Sequence, residues 1–309
     1  MKTKIWIALI ALYIVWGSTY LAIRFAVETM PPFLHAGLRF LISGLILVIW
    51  RRAAGDEMPT RIQWKSLAII GTLLLLGGNS LVAVAEQRIA SGVAALIIGT
   101  VPLWLVIIEG IRPGGVRPSW RAIIGLVVGF SGIYLLIGPT DLTSGLQFDA
   151  VGTIVLVIAA FLWSLGSIYS RSAELPKSAL MMTGGEMVAG SIPIFIVSFA
   201  FGEWKSFDLA QVSSESWLAL VYLIIFGSMI GFVAYIWLLQ NVSVSLVSTY
   251  AYVNPLVAVL LGNWFAQEPL TPRTLVAAGI IIGSVVFINS ARQVKVKTEP
   301  LQAVPDGDD

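Results

Sequence analysis

Ten apolar stretches follow one another along almost the whole chain, and each is long enough to cross a bilayer. A spanning helix needs about 20 mainly apolar residues. Segments 5–27, 33–50, 66–86, 92–110, 120–138, 149–170, 178–200, 215–238, 243–266 and 272–291 meet that length. Charges, prolines and paired glycines collect between them, at Met30-Pro31-Pro32, Arg51-Arg52, Arg112-Pro113-Gly114-Gly115, Gly138-Pro139 and Glu268-Pro269. Only 12% of residues are charged, where a soluble domain carries roughly 25%. The expected fold is all-α integral membrane, with ten transmembrane helices. The first run follows Lys2 and Lys4 as a secretory leader would. It continues from Ile5 to Ile23 and carries Tyr20, Arg24 and Glu28 at its end instead of a small-residue cleavage site, so it reads as the first span.

Basic residues set the orientation, because they concentrate in cytoplasmic loops. With the N-terminus inside, the inner segments hold Lys2, Lys4, Arg51, Arg52, Arg61, Lys65, Arg112, Arg117, Arg121, Arg171, Lys177, Arg292, Lys295 and Lys297. The outer segments hold only Arg88, Lys205 and Arg273. Both termini are therefore expected in the cytoplasm, with the polar, acidic-ending tail 292–309 disordered.

The chain also contains one pattern twice. Gly92–Gly110 aligns with Ser245–Asn263, so that Val101-Pro102-Leu103 lies opposite Asn254-Pro255-Leu256. One residue further out of step, Gly125 and Gly129 fall opposite Gly279 and Gly283. Upstream, Gly17-Ser18-x-Tyr20 matches Gly166-Ser167-x-Tyr169. Such self-similarity divides the chain into repeats over 1–140 and 141–291. Each repeat holds five spans, and an odd number makes the second copy enter the membrane from the opposite side. Inverted repeats are a common architecture of secondary transporters, with the substrate site near mid-membrane between them.

The candidate site residues follow from that frame. Pro102 and Pro255 each remove a helix hydrogen bond, and the freed carbonyl needs a partner inside lipid. A matched pair points to a cavity. Asn254 either contacts solute there or repairs the broken ladder. Arg39 and Glu186 are charges within spans, about 9 Å and 12 Å from the nearer helix end at 1.5 Å per residue. Such charges face the bundle interior or water, so a gating or solute-binding role is expected. Glu86 lies seven residues from Asn79 along the third span and is a third candidate. Arg24, Glu86, Arg88 and Glu109 are otherwise expected to snorkel to the interface, and His35 to be an ordinary interfacial residue. Trp16, Tyr20, Trp163 and Tyr250 lie inside spans and suggest an aromatic-walled cavity for an amphipathic solute. The glycine pairs Gly125/Gly129 and Gly279/Gly283 suit packing of the fifth span on the tenth, or a homodimer face. Gly227/Gly231 suits packing of the eighth span.

Absences narrow the function. The chain has no cysteine and one histidine, which leaves no thiolate site and makes a histidine-based metal site or hydrolase improbable. There is no GxxxxGK[ST] and no selectivity-filter run. Net charge is +2 without a basic aromatic run, so nucleic acid is not an expected partner. No cofactor or metal is expected, and no enzymatic activity; the partners are a small-molecule substrate and the bilayer.

These residues together resemble the drug/metabolite transporter superfamily, in particular its EamA-type ten-helix permeases and their YedA-like subgroup. The resemblance rests on Trp16-Gly17-Ser18-Thr19-Tyr20, Pro31-Pro32 with Gly37-Leu38-Arg39-Phe40, Thr100-Val101-Pro102-Leu103, Ser248 through Pro255, and Glu268-Pro269-Leu270-Thr271. It covers about 5–291. Gln267 stands where the family often has glycine before the glutamate. The resemblance implies export of small metabolites such as amino acids across the bacterial inner membrane. It also implies a central cavity bordered by Trp16, Tyr20, Asn79, Pro102, Trp163, Tyr250, Asn254 and Pro255. A facilitator or importer of similar solutes, or a non-transporting membrane sensor, are the rival expectations.

Overall fold

The computed structural model describes residues 2–115, 117–137, 149–242, 244–247 and 249–297. Gly138-Pro139 and the last part of the tail lie outside the described residues. Among those described, regular structure is entirely helical. Helical segments stand along the apolar stretches that the hydropathy marks. They are α1 (Lys2–Ala26), α2 (Pro32–Ala53), α3 (Arg61–Glu86), α4 (Ser91–Ile98 and Val101–Ile111) and α5 (Trp120–Ile137). The second half supplies α6 (Ala150–Tyr169), α7 (Ala179–Ala200) and α8 (Ser214–Tyr222, Leu223–Ile230 and Gly231–Asn241). It closes with α9 (Val244–Val247 and Tyr250–Ala266) and α10 (Pro272–Lys297). Seven of these are long and apolar enough to cross a membrane, and α5 and α10 are shorter apolar helices over Trp120–Leu136 and Pro272–Ile288. The last helix runs to Lys297, beyond the expected boundary at Arg292.

Local chemistry fixes the starts. Thr60 and Gln63 form a reciprocal capping box before α3. The Asp149 carboxylate accepts from Gly152 N at 2.6 Å before α6, Ser178 caps α7 and Ser213 caps α8. Pro32 sits in the first turn of α2, where its missing N–H costs nothing. After α2, Arg51 grips Asp56 with two bonds of 2.8 and 2.9 Å. The hydrogen bond from Arg51, helped by Ser178, holds the Asp56 carboxyl down at about 2.

Packing pairs the helices by an exchange of halves. α1 packs on α9 as α6 packs on α4; α6 packs on α3 as α1 packs on α8; α7 packs on α3 as α2 packs on α8. The pairs α2–α7, α4–α9 and α5–α10 map onto themselves. The central cluster, which includes Ala22, Ala26, Ala83, Ala85, Ala94 and Ala159, is rich in alanine, so helices approach closely. Glycine takes this furthest. A Cβ at Gly190 of α7 would stand 2.9 Å from Gly71 Cα and 3.0 Å from its carbonyl oxygen. Outward, residues such as Ile7, Ile10, Ile123, Val127, Phe199 and Trp264 are exposed. Apolar contact with lipid is what such a belt needs.

Two carboxylates of the second half clamp helix starts of the first. Glu203, on the short helix Glu203–Ser206, accepts from Phe33 N (3.2 Å), Leu34 N (2.7 Å) and Ser198 Oγ (2.7 Å). Glu268 accepts from Ser91 N (2.7 Å) and Gly92 N (3.0 Å). The first N–H groups of a helix have no internal partner, and bonds to a charged group contribute about 1.5–3 kcal/mol. Glu203→Ala is expected to lower the thermal unfolding midpoint of the purified protein by several degrees. An unchanged melting curve would show that the clamp adds nothing.

Candidate functional site

The centre of the bundle is built on two irregular helices. Thr72–Ser80 of α3 and Leu223–Ile230 of α8 wind as π-helices. Ser80 Oγ donates to Leu75 O, five residues back, at 2.9 Å. π-Helical turns are rare and concentrate at functional sites. Here they occupy equivalent helices of the two halves.

Arg39 joins them. Its Nη1 donates to Asn79 Oδ1 at 3.2 Å on the α3 segment, and its Nε donates to Ser228 Oγ at 3.0 Å on the α8 segment. The guanidinium lies 4.9 Å from the Phe40 ring centroid, and the residue is 4% exposed. The two tryptophans take equivalent seats. Trp16 Nε1 donates to Gly227 O at 3.2 Å, and its ring fills the place a side chain at Gly231 would need. The Trp163 ring lies where a Gly78 Cβ would stand, 2.6 Å from its Cε3. The Gly227/Gly231 pair therefore packs against α1, as a helix-packing role requires. Gly227 also leaves room for Arg39, whose Nη2 would stand 3.2 Å from a Cβ there.

An aromatic cluster continues from Trp16. Its ring meets Phe232 at 5.3 Å, Tyr235 at 5.2 Å and Tyr250 edge-on at 5.0 Å. Tyr13 and Thr249 hydroxyls bond across α1 and α9 just beside it. Trp16, Tyr20, Asn79, Pro102, Trp163 and Tyr250 are all partly buried, while Asn254 and Pro255 are buried.

The proline expectation needs correction. Pro102 does not interrupt a helix. The break is at Gly99-Thr100, and Pro102 is the second residue of the helix that restarts there, a position where proline is favoured. Pro255 does lie inside its helix, Tyr250–Ala266, with the preceding interruption near Thr249. The two helices meet at these points, since a Gly99 Cβ would touch Pro255 Cγ at 3.3 Å. With its amide nitrogen facing the carbonyls, Asn254 donates to Tyr250 O at 3.1 Å and Tyr13 O at 3.3 Å. Those bonds serve backbone carbonyls at the α1–α9 contact.

The charges sort differently from expectation. Glu86 does not snorkel: it is 0% exposed, and both carboxylate oxygens lack a hydrogen-bond partner. His35, expected at the interface, is 1% exposed. Arg24 donates to the backbone carbonyl of Glu86. Glu109 faces Arg112 at 3.2 Å and Arg171 at 3.8 Å, and Arg88 faces Asp149 at 3.2 Å. Glu186 lies on α7 beside Gly71 of α3. Among the described residues it forms no ion pair with Arg39. Asn79 meets Arg39, whereas Glu86 has Arg24 and Tyr20 of α1 as neighbours.

Three features escape a hydropathy reading: the π-helices, Ser228, and the clamps at Glu203 and Glu268. The small polar groups Gly77-Gly78-Asn79-Ser80 and Gly227-Ser228 inside apolar runs are the sequence signal for the first two. The glycines' second fate is also visible here. Gly125 and Gly129 press on Ile288, Ser284 and Leu103, whereas Gly279 and Gly283 have open space beside them. Packing of α5 on α10 thus uses one pair only.

The structure brings together a cation, an amide, a hydroxyl and aromatic rings. Among the described residues no group of three His, Cys, Asp or Glu could hold a metal ion. The chain belongs to the EamA-like transporter family, which matches residues 3–138 and again 150–290. It is therefore a multi-pass inner-membrane transporter and not an enzyme. It is 39% identical to the uncharacterized inner membrane transporter YedA of Escherichia coli K12, covering 91% of this chain and 89% of that protein. It is 26% identical to a chloroplastic WAT1-related protein of Arabidopsis thaliana over 92% of this chain and 69% of that one. A solved crystal structure shares the fold at a TM-score of 0.63 and 20% identity, covering 96% of this chain and 99% of the other.

Proposed function

We propose that the protein is a secondary carrier that exports small carboxylate-bearing organic solutes, such as amino acids with apolar side chains, by alternating access. In this reading all ten segments cross the membrane, both ends face the cytoplasm, and the halves 1–140 and 141–291 are inverted five-helix repeats that rock about the site. The observation that carries it is Arg39. Its guanidinium is nearly sealed off, and the side chains it bonds, Asn79 and Ser228, are neutral. A cation deep in a bilayer costs about 3 kcal/mol, and a solute carboxylate would offset much of that. Trp16, Trp163, Tyr20 and Tyr250 supply apolar walls for the rest of the solute. The breaks at Gly99-Thr100 and near Thr249, with Pro102, Asn254 and Pro255 beside them, give α4 and α9 a place to bend. Glu186 and Glu86 act in gating. A homodimer would use the open Gly279/Gly283 face, since Gly125 and Gly129 are covered.

Reconstituted vesicles test the substrate class. Labelled L-phenylalanine should exchange across vesicles carrying the protein and not across empty ones. Phenethylamine, which lacks the carboxylate, should not. Equal movement of the amine, or no movement of any amino acid in a broad panel, would overturn the reading.

A further inference from the structure

Glu86 is the buried group that the solute site does not use. It ends α3, is 0% exposed, and neither carboxylate oxygen meets a donor. Ser91 Oγ, at the start of α4, is a second buried polar atom there without a partner. The groups acting on Glu86 are Glu268, whose charge opposes its own, and Arg24, whose charge favours it. Tyr20 of α1 lies within its electrostatic reach. The rest of this turn packs into the apolar cluster of Val82, Ala83, Ala85, Leu156 and Ala159.

A carboxylate sealed from water without donors is too costly to persist as an anion. Glu268 cannot supply a donor, because it spends both oxygens accepting from Ser91 and Gly92. Arg24 could, yet its Nη1 donates to the backbone carbonyl of Glu86 and not to the side chain. We propose that Glu86 is a proton-binding site of the carrier, protonated in the closed arrangement described here. On release of the proton to water, the carboxylate turns to Arg24, which abandons the terminal carbonyl of α3. The end of α3 then loses its bond to α1 and can move away from the start of α4, which Glu268 keeps in place. One proton binds and leaves per turnover, with no other covalent bond made or broken. The use of that proton rests on the carrier reading above; its presence does not.

The test needs no solute. The full-length protein in lipid should show, by infrared spectroscopy at neutral pH, the carbonyl stretch of an un-ionised carboxyl group that Glu86→Gln removes and Glu186→Gln leaves. Identical spectra for Glu86→Gln and the parent would overturn the proposal. A second readout uses the absence of native cysteine. Spin labels at Gln87→Cys and Pro269→Cys should move apart as pH rises, and Glu86→Gln, a neutral mimic of the acid, should hold them at the short distance at every pH. An unchanged pH response in Glu86→Gln would also overturn it. Failure of L-phenylalanine to exchange would bear on the carrier reading alone, because neither readout involves flux.

Discussion

Arg39→Ala should abolish solute exchange in reconstituted vesicles while the protein still inserts and purifies as the parent does. Among the described residues, the guanidinium is the only group that touches both π-helices by hydrogen bonds. In the proposed cycle it is also the counter-charge for the solute carboxylate. Hydrogen bonds to charged groups contribute about 1.5–3 kcal/mol each, so loss of the anchor should weaken binding by roughly ten- to a hundred-fold at 1.4 kcal/mol per decade. Insertion should not suffer, since removing a buried cation removes a cost. Arg39→Lys keeps the charge but not the planar fork that reaches two partners at once. It should bind solute weakly and turn over slowly. Glu186→Ala should reduce flux less than Arg39→Ala. Unchanged exchange in Arg39→Ala would make Arg39 a structural strut.

Gly190→Leu should yield no folded transporter. The new side chain would have to occupy space held by the Gly71 backbone, 2.9 Å from its Cα. No rotamer relieves a clash with backbone, so α3 and α7 must separate. Overpacking a tight core costs about 1–3 kcal/mol and sometimes more, and here the separation also moves the π-helix that carries Asn79. Gly190→Ala should be partly tolerated, with a lowered melting point. Normal yield and a normal elution profile for Gly190→Leu would mean that the α3–α7 contact is looser than the structure places it.

Much of the fold was legible because the bilayer enforces it. Long apolar runs had to be helices. The site was legible in its parts and not in its assembly. Trp16, Trp163, Arg39 and Asn79 stood out as unusual residues inside spans. Hydropathy does not distinguish a π-turn from an α-turn, so neither irregular segment shows in the apolar runs. Arg39 binds residues 40 and 189 positions away, and Ser228 is an unremarkable serine until the fold brings it there. Pro102 misled because a proline in an apolar run looks the same whether it breaks a helix or starts one. Glu86 looked interfacial because its place near a span's end says nothing of what covers that end.

Whether the two halves enclose a pocket that opens to each side in turn can be measured with one cysteine, since the chain has none of its own. Trp163→Cys, at the seat beside Gly78, should react with a membrane-impermeant thiol reagent from the cytoplasmic face and, in a separate fraction of molecules, from the outer face. Added L-phenylalanine should slow both reactions. Labelling from neither face, or labelling only by a lipid-soluble reagent, would contradict a water-filled central site and with it the carrier account.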